Sequence, residues 1–372
     1  MRHGRNALSV ADKKMVARCG QTLLWTVLFL AGLFFISEFL ARTDLVKKFA
    51  PYESLGTFHA QFEIKWFRLQ QFVIENDGVD VIILGSSLAN TGIDPDIMAQ
   101  TYYQQTGIRL RIFNFGVEGM GVVPGSMNAR ILVEKYHPAL IVLITEMREF
   151  HSSGGLDMLD DMNSDPWFEY QQGKLNVLGW LIDHSAAIKH FMPYRNWMRA
   201  DFPTSFIDNL QRTSNTTANG YDPEHAVGTN LDLPPDPSNP EDKYYYGLYQ
   251  GYQVAAFQME CLQKILDLQK NGETQVIVVE MPVMPSFFYY VGGEQVHQQF
   301  QQVLASTIVE SGAVFLPASK TLPIPENGRA NRVHLNEIGA PIFSDYLGLQ
   351  LSNLTTRHGL RFDIPASAGG SH

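Results

Sequence analysis

The chain has 372 residues, 45% of them hydrophobic and 18% charged, so it can bury a full core and is neither disordered throughout nor embedded in a membrane along its whole length. Its net charge is −10, and residues 1–21 carry five Lys/Arg against one Asp, which leaves a body near −14. An acidic body argues against nucleic acid and against an anionic membrane face as partners, and two cysteines, Cys19 and Cys261, provide neither a disulfide framework nor a cysteine metal site.

In chain order, the first feature is the run Thr22 to Leu40, interrupted near its end by Ser37 and Glu38; as a helix it is ~28 Å long, about one bilayer core. Arg2, Arg5, Lys13, Lys14 and Arg18 precede it, so the positive-inside rule keeps the N-terminus in the cytoplasm and places the chain beyond about Arg42 on the other side. A cleaved signal peptide is the rival reading, but the bulky Phe39 stands at −3 for cleavage after Ala41, and the apolar run exceeds a signal core of ~7–15 residues.

Five short β-branched runs come next, each bounded by turn residues: Val79 to Leu84, Leu110 to Phe115, Ala139 to Thr145, Thr274 to Glu280 and Ala313 to Leu316. Helical segments alternate with them, at Asp94 to Gln105, Pro124 to Tyr136, Gly251 to Asn271, Glu294 to Ser311 and Asn336 to Leu351. Strict alternation predicts an α/β fold: a five-stranded parallel sheet with helices on both faces, and ligands at the carboxyl ends of the strands. The rhythm breaks over residues 150–250, a long insertion after the third strand. Its part from Thr213 to Tyr246 reads as an irregular loop over the ligand edge, a candidate lid or substrate-binding insertion whose trimming from Thr213 to Pro240 should spare the fold, with a functionless surface loop as the alternative. The chain thus divides into a cytoplasmic tail (1–21), a transmembrane helix (22–40), a membrane-proximal linker and helix (41–75), an α/β domain (76–352) and a C-terminal tail (353–372), whose end from Ala366 reads as disordered.

The first strand runs into Gly85-Ser86-Ser87, where a strand-to-helix turn exposes a serine and backbone N–H groups able to hold an oxyanion. After the fifth strand comes His334, just ahead of the closing helix. A serine nucleophile needs such a base within hydrogen-bond reach. Ser87 as a mere helix cap, and His151 as a competing base, are the alternatives these residues leave open. The glycines from Gly116 to Gly125 do not make a dinucleotide loop, because Pro124 stands where a third glycine is needed. No Gly-x-Ser-x-Gly elbow, His-Glu-x-x-His or phosphate loop occurs, and no metal or cofactor is expected.

These motifs resemble those of the SGNH (GDSL-like) hydrolases, which have a flavodoxin-like sheet. Gly85-Ser86-Ser87 is similar to their Gly-Asp-Ser block, with Ser86 in place of Asp; Asn114 to Gly121 (NFGVEGMG) offers their oxyanion glycine as Gly119; and Asn331-Arg332-Val333-His334 resembles their Asp-x-x-His block. The resemblance implies Ser87, His334 and Asn331 as the catalytic set and Ser87 and Gly119 as oxyanion donors. The third block is replaced by Thr145-Glu146-Met147-Arg148, which leaves Arg148 or the Thr145 hydroxyl as the substitute donor. Asn331 can orient an imidazole but brings no charge, so Glu326 or Glu337 is an alternative orienting group. The Gly-Ser-Ser form and the anchor are closest to the membrane-bound branch that D-alanylates teichoic acid or O-acetylates exported polysaccharide. Motif order, serine first, is similar to the teichoic-acid side. The resemblance implies a periplasmic acyltransferase or esterase on the cytoplasmic membrane, an envelope polysaccharide as substrate, and a multi-pass membrane acyltransferase as partner. A catalytically degenerate glycan-binding scaffold is the alternative function.

Overall fold

The computed structural model describes residues 10–43, 46, 53–57, 59–152, 156–195, 197–317, 322, 324–358, 360 and 362. Arg2, Arg5 and the tail from Ala366 lie outside these residues.

Helix α1 (Val10–Ala41) contains a 25-residue segment, Ala17–Ala41, whose most apolar 18-residue window has mean hydropathy 2.1 and is not buried against the rest of the chain. It is long and apolar enough to span a membrane. Helix α2 (Ala60–Asn76), expected near the membrane-proximal linker, belongs to the core: Phe62, Trp66 and Leu69 are buried, and Trp66 meets Trp167 edge-on at 4.7 Å. On the same helix Lys65 is fully buried, its Nζ donating to the carbonyls of Gly220 and Asn114. Burial pushes its pKa down to about 7, against the pull of Asp222.

The five strands are β1 (Val81–Gly85), β2 (Ile112–Gly116), β3 (Leu140–Thr145), β4 (Gln275–Glu280) and β5 (Val314–Leu316), each within two residues of its expected bounds. All neighbours are parallel, in the order β2-β1-β3-β4-β5. Val81 to Leu84 and Leu140 to Ile144 are buried throughout, as two-sided burial of a parallel sheet requires. Helix α3 (Ser87–Gly92) and helix α4 (Pro95–Thr106) come after β1, and α4 packs on the closing helix α14 (Gly339–His358). Helix α5 (Val122–Tyr136) comes after β2 and packs on helix α12 (Ala256–Leu266), which precedes β4. Right-handed crossovers set these two pairs on opposite faces. The strand order reverses between β1 and β3, so their carboxyl ends flank the switch-point crevice. The closing helix starts later and ends later than expected: Asn336 commits its side chain to the turn, accepting from Ile338 N at 3.0 Å, and Tyr102 meets Thr355 at 3.1 Å in the added final turns.

The insertion holds helices α6 (Leu156–Ser164), α7 (Pro166–Gln171), α8 (Val177–His184), α9 (Ala186–Phe191), α10 (Phe202–Asn215) and α11 (Pro240–Tyr249). The stretch expected to be irregular through Tyr246 is therefore helical from Pro240. Asn239 caps it, accepting from Glu241 N at 2.9 Å, with Pro at the first position and two acids in the first turn; a composition that reads as a loop is a helix start. The remaining irregular part is stitched to the body and is not a free lid. Asn219 O accepts from Asn114 N at 2.8 Å, Arg329 O from Gly228 N at 2.8 Å, Glu224 O from Glu337 N at 2.8 Å, and Glu326 Oε1 from Leu231 N at 2.6 Å, while Tyr221 and Leu231 are buried. At about 1 kcal/mol net per buried hydrogen bond plus the apolar burial, deleting residues 217–239 should lower the melting temperature by roughly 10 °C or more. Thermal unfolding followed by circular dichroism checks this; a shift of a few degrees would restore the lid reading.

Candidate active site

Ser87 is the first residue of α3, not its cap; Ser86 takes the cap position and makes no side-chain capping bond. Helix α3 sits directly on the end of β2, where a Cβ on Gly116 would run into the Asn90 backbone. The buried Asn114 clamps it: Nδ2 donates to the Ala89 and Ile93 carbonyls at 2.7 and 2.8 Å, and Oδ1 accepts from Gly116 N at 2.8 Å. The first N–H groups of a helix lack intrahelical partners, so the Ser87 N–H is not committed within α3, and Ser87 lines the crevice.

Ser87 Oγ lies 2.8 Å from His334 Nε2. The histidine is carried by a tight loop closed by the Arg329–Leu335 bridge and by the bond from Ala330 N to His334 O at 3.0 Å. Inside that loop Asn331 Oδ1 accepts from Val333 N at 3.0 Å and His334 N at 2.8 Å. Two backbone donors fix which end of the carboxamide is oxygen, so its third contact, 3.1 Å to His334 Nδ1, is accepted from an Nδ1–H. Nε2 is then the bare nitrogen, and it accepts from the Ser87 hydroxyl. Asn331 Nδ2 is itself held by Tyr245 Oη at 3.2 Å. Burial, aided by the Arg148 cation and opposed by Glu224, pushes the His334 pKa down to about 4. The neutral base thus prevails at neutral pH. Because the folded value is depressed, this contribution to stability is complete above the ordinary value of 6.5 and is lost as pH falls from there toward about 4.

Ser87 and His334 share a cavity of about 20 Å³ with Ser86, Gly119, Arg148, Glu146, Glu149, Tyr245 and Tyr249, which is room for about one water. Gly119 adopts φ +75°, a turn geometry that favours glycine. The structure therefore gathers Ser87, His334, Asn331, Gly119 and Arg148 in one place. Thr145 is excluded as a donor to this cavity, since its buried hydroxyl donates to Glu149 Oε2 at 2.8 Å. Glu326 and Glu337 are engaged with Leu231 N and His225 (2.6 and 2.7 Å), and His151 stacks on Tyr252 at 5.8 Å and does not line the cavity.

Sequence reasoning missed the acidic floor. Glu146 accepts from Tyr249 Oη at 2.9 Å and Arg148 N at 2.8 Å, and burial raises its pKa despite Arg148. Burial and the neighbouring Glu146 push Glu149 up to about 8, so it is largely protonated at neutral pH. The signal was two glutamates three apart immediately after a strand apolar in all but its last residue, Thr145, at the end where ligands bind. Two larger cavities lie elsewhere on the domain. One, about 480 Å³, is polar and shares Tyr245 with the nucleophile cavity, with Asn331, Asn230, Asp242, Tyr290 and Arg332 in its wall. The other, about 680 Å³ and mostly apolar, lies beyond β4 around Phe288, His297 and Arg329 and touches neither Ser87 nor His334.

No protein-family model and no curated protein matches the chain in sequence. Solved structures that resemble it include a gut microbial diltiazem-metabolizing enzyme (10% identity, 74% of this chain and 47% of that one, TM-score 0.37). The chain thus spans less than half of that enzyme. An inhibitor-bound aryl esterase of M. smegmatis matches with 11% identity, 74% and 100% coverage and a TM-score of 0.34. A GDSL-like lipase from Bacteroides thetaiotaomicron matches with 11% identity, 77% and 97% coverage and a TM-score of 0.33. The chain has a parallel sheet of order β2-β1-β3-β4-β5, a serine opening the helix after its first strand and a histidine in contact with that serine ahead of the last helix, the arrangement that its resemblance to the SGNH (GDSL-like) hydrolases implies.

Proposed function

We propose that this chain is a membrane-anchored, extracytoplasmic serine acyltransferase or esterase acting on an envelope or exported polysaccharide. The observation that carries the chemistry is the relay from Ser87 Oγ through His334 to Asn331 Oδ1. Ser87 Oγ attacks the acyl carbonyl while Nε2 takes its proton. The oxyanion is held by the N–H groups of Ser87 and Gly119 and by the Arg148 guanidinium. His334 then protonates the leaving alcohol. Water or a sugar hydroxyl attacks the acyl-serine in turn, loses its proton to Nε2, and Ser87 is regenerated. The polar, tyrosine-walled cavity beside Asn331 suits a glycan, offering hydrogen-bonding side chains beside aromatic faces. The apolar segment Ala17–Ala41 with basic residues before it supports the anchor, and a multi-pass membrane acyltransferase would supply the acyl group.

A second reading, a degenerate glycan-binding scaffold, draws on Asn331 lacking a charge and on the small size of the nucleophile cavity. Chromosomal Ser87→Ala separates the two. Loss of ester-linked acyl groups from the exported polysaccharide, with protein level unchanged, supports catalysis; unchanged acylation supports the scaffold.

Arg148 has two jobs in this reading, with separable signatures. Arg148→Met should lower kcat on an acetyl ester by roughly 10- to 10³-fold through loss of an oxyanion donor. It should also move the acid limb of the pH–rate profile upward, because removing the cation lets the His334 pKa rise from about 4 toward its ordinary value. A lowered kcat with an unmoved limb would mean that Arg148 does not act on His334.

A further inference from the structure

The last turn of the anchor is bonded into the insertion. Glu38 accepts from Ser185 Oγ at 2.7 Å, Ala186 N at 2.9 Å and Ala187 N at 3.1 Å, taking up the free N–H groups that open α9. Arg42 pairs with Glu38 and reaches the His184 carbonyl at 3.5 Å. If α1 crosses a bilayer, Glu38 to Arg42 lie at its outer interface, and α8 and α9 are held at that depth. These helices and their flanks are unusually apolar on the outside. Leu175 is 99% exposed, Met198 81%, Val177 67%, Trp197 65%, Phe191 63% and Trp180 48%. Helix α8 buries only Gly179 and Ile182. Beside it an open, mostly apolar hollow of about 370 Å³ is lined by Tyr170, Leu175, Val177 and Trp180. Leu175, Val177 and Trp180 gather around this hollow; exposed apolar surface gathered in this way marks an interaction site, and tryptophans belong at membrane interfaces.

We propose that this face of the insertion lies in the outer interface of the bilayer that holds α1, as a second, monotopic membrane contact. Continuity with the anchor's exit turn selects lipid as the occupant: a surface bonded to an interfacial turn sits at interfacial depth. The contact is hydrophobic, not charge-driven, in keeping with the acidic body. It fixes the body's tilt, because one helix alone leaves it free to swivel. The proposal goes beyond the acyl-transfer reading and does not depend on Ser87 chemistry.

The test uses the full chain in phosphatidylcholine vesicles, with Cys19→Ser and Cys261→Ala as background and an environment-sensitive fluorophore on one introduced cysteine. Positions are Leu175→Cys, Trp197→Cys, Phe29→Cys within the anchor, and Val309→Cys. Val309 is 65% exposed on helix α13 (Glu294–Glu310), which packs by β5 at the far edge of the sheet. Lipids brominated on their acyl chains should quench the labels at 175, 197 and 29 at least severalfold more than the label at 309. Quenching at 29 with 175 and 197 no different from 309 overturns the proposal. Absence of quenching at 29 overturns it together with the anchor. Protein-concentration-dependent blue shifts at 175 without lipid quenching also overturn it, by assigning the face to a second copy of the chain.

Discussion

Ser87→Ala and His334→Ala should each lower turnover of a simple acetyl ester by roughly 10⁴-fold or more, and the double variant should be hardly worse than either single one. The expectation comes from the 2.8 Å contact between Ser87 Oγ and Nε2: without the base the hydroxyl keeps its proton, and without the hydroxyl the base has nothing to activate. Neither change should unfold the protein, since Ser87 and His334 are only partly buried and α3 is clamped by Asn114. Ser86→Ala should be milder, because the Ser86 side chain bonds Glu149 and it is Ser87 that meets His334. Steady-state kinetics of the four variants beside their melting curves checks the set; additive losses in the double variant would show that the two residues do not act as a unit.

Asn331→Asp should increase turnover, roughly tenfold or more, since the opposite change in a serine-protease triad costs ~10⁴. The site can take the carboxylate. All three contacts to Oδ1 are donated to it, by Val333 N, His334 N and His334 Nδ1, and the remaining oxygen would face Tyr245, whose hydroxyl can turn from acceptor to donor. The negative charge stabilises the imidazolium formed as Ser87 loses its proton. It should also raise the His334 pKa above about 4, so the acid limb of the pH–rate profile moves up as kcat rises. Measuring both parameters matters. A raised limb with unchanged kcat would mean that proton transfer to His334 does not limit turnover, and a fall in kcat would mean that Asn331 is tuned to the site as it stands.

The sheet was legible because two-sided burial leaves a plain trace: Val-Ile-Ile-Leu and Leu-Ile-Val-Leu-Ile have no polar face to confuse with a helix. Ser87 and His334 were legible because strand-to-helix alternation assigns the serine a turn and the histidine the approach to the last helix, and both turns open on one end of the sheet. Asn331 could be placed by its spacing of three from His334, yet its preference over Glu326 and Glu337 could not. That choice depends on the tight loop that points Val333 N and His334 N at the same oxygen. Lys65 was hidden for a related reason. A lysine in the middle of an amphipathic helix reads as solvent-facing, whereas here the carbonyls of Gly220 and Asn114, from chain segments far downstream, receive it in the interior. The stretch from Thr213 to Tyr246 looked detachable because its composition is that of a loop, while several of the bonds that attach its irregular part are backbone hydrogen bonds that any sequence can make. Glu146 and Glu149 were overlooked because buried acids are rare and stand out only where a strand ends at a ligand edge.

The central claim is that Ser87 is a nucleophile activated by His334, and its most direct test is covalent. The full-length protein in detergent is treated with a serine-reactive phosphonate, digested, and read by mass spectrometry. The account predicts a single phosphonylated site at Ser87, formed far more slowly in His334→Ala and absent in Ser87→Ala. Label distributed over other serines, or labelling of Ser87 at the same rate without His334, would contradict it.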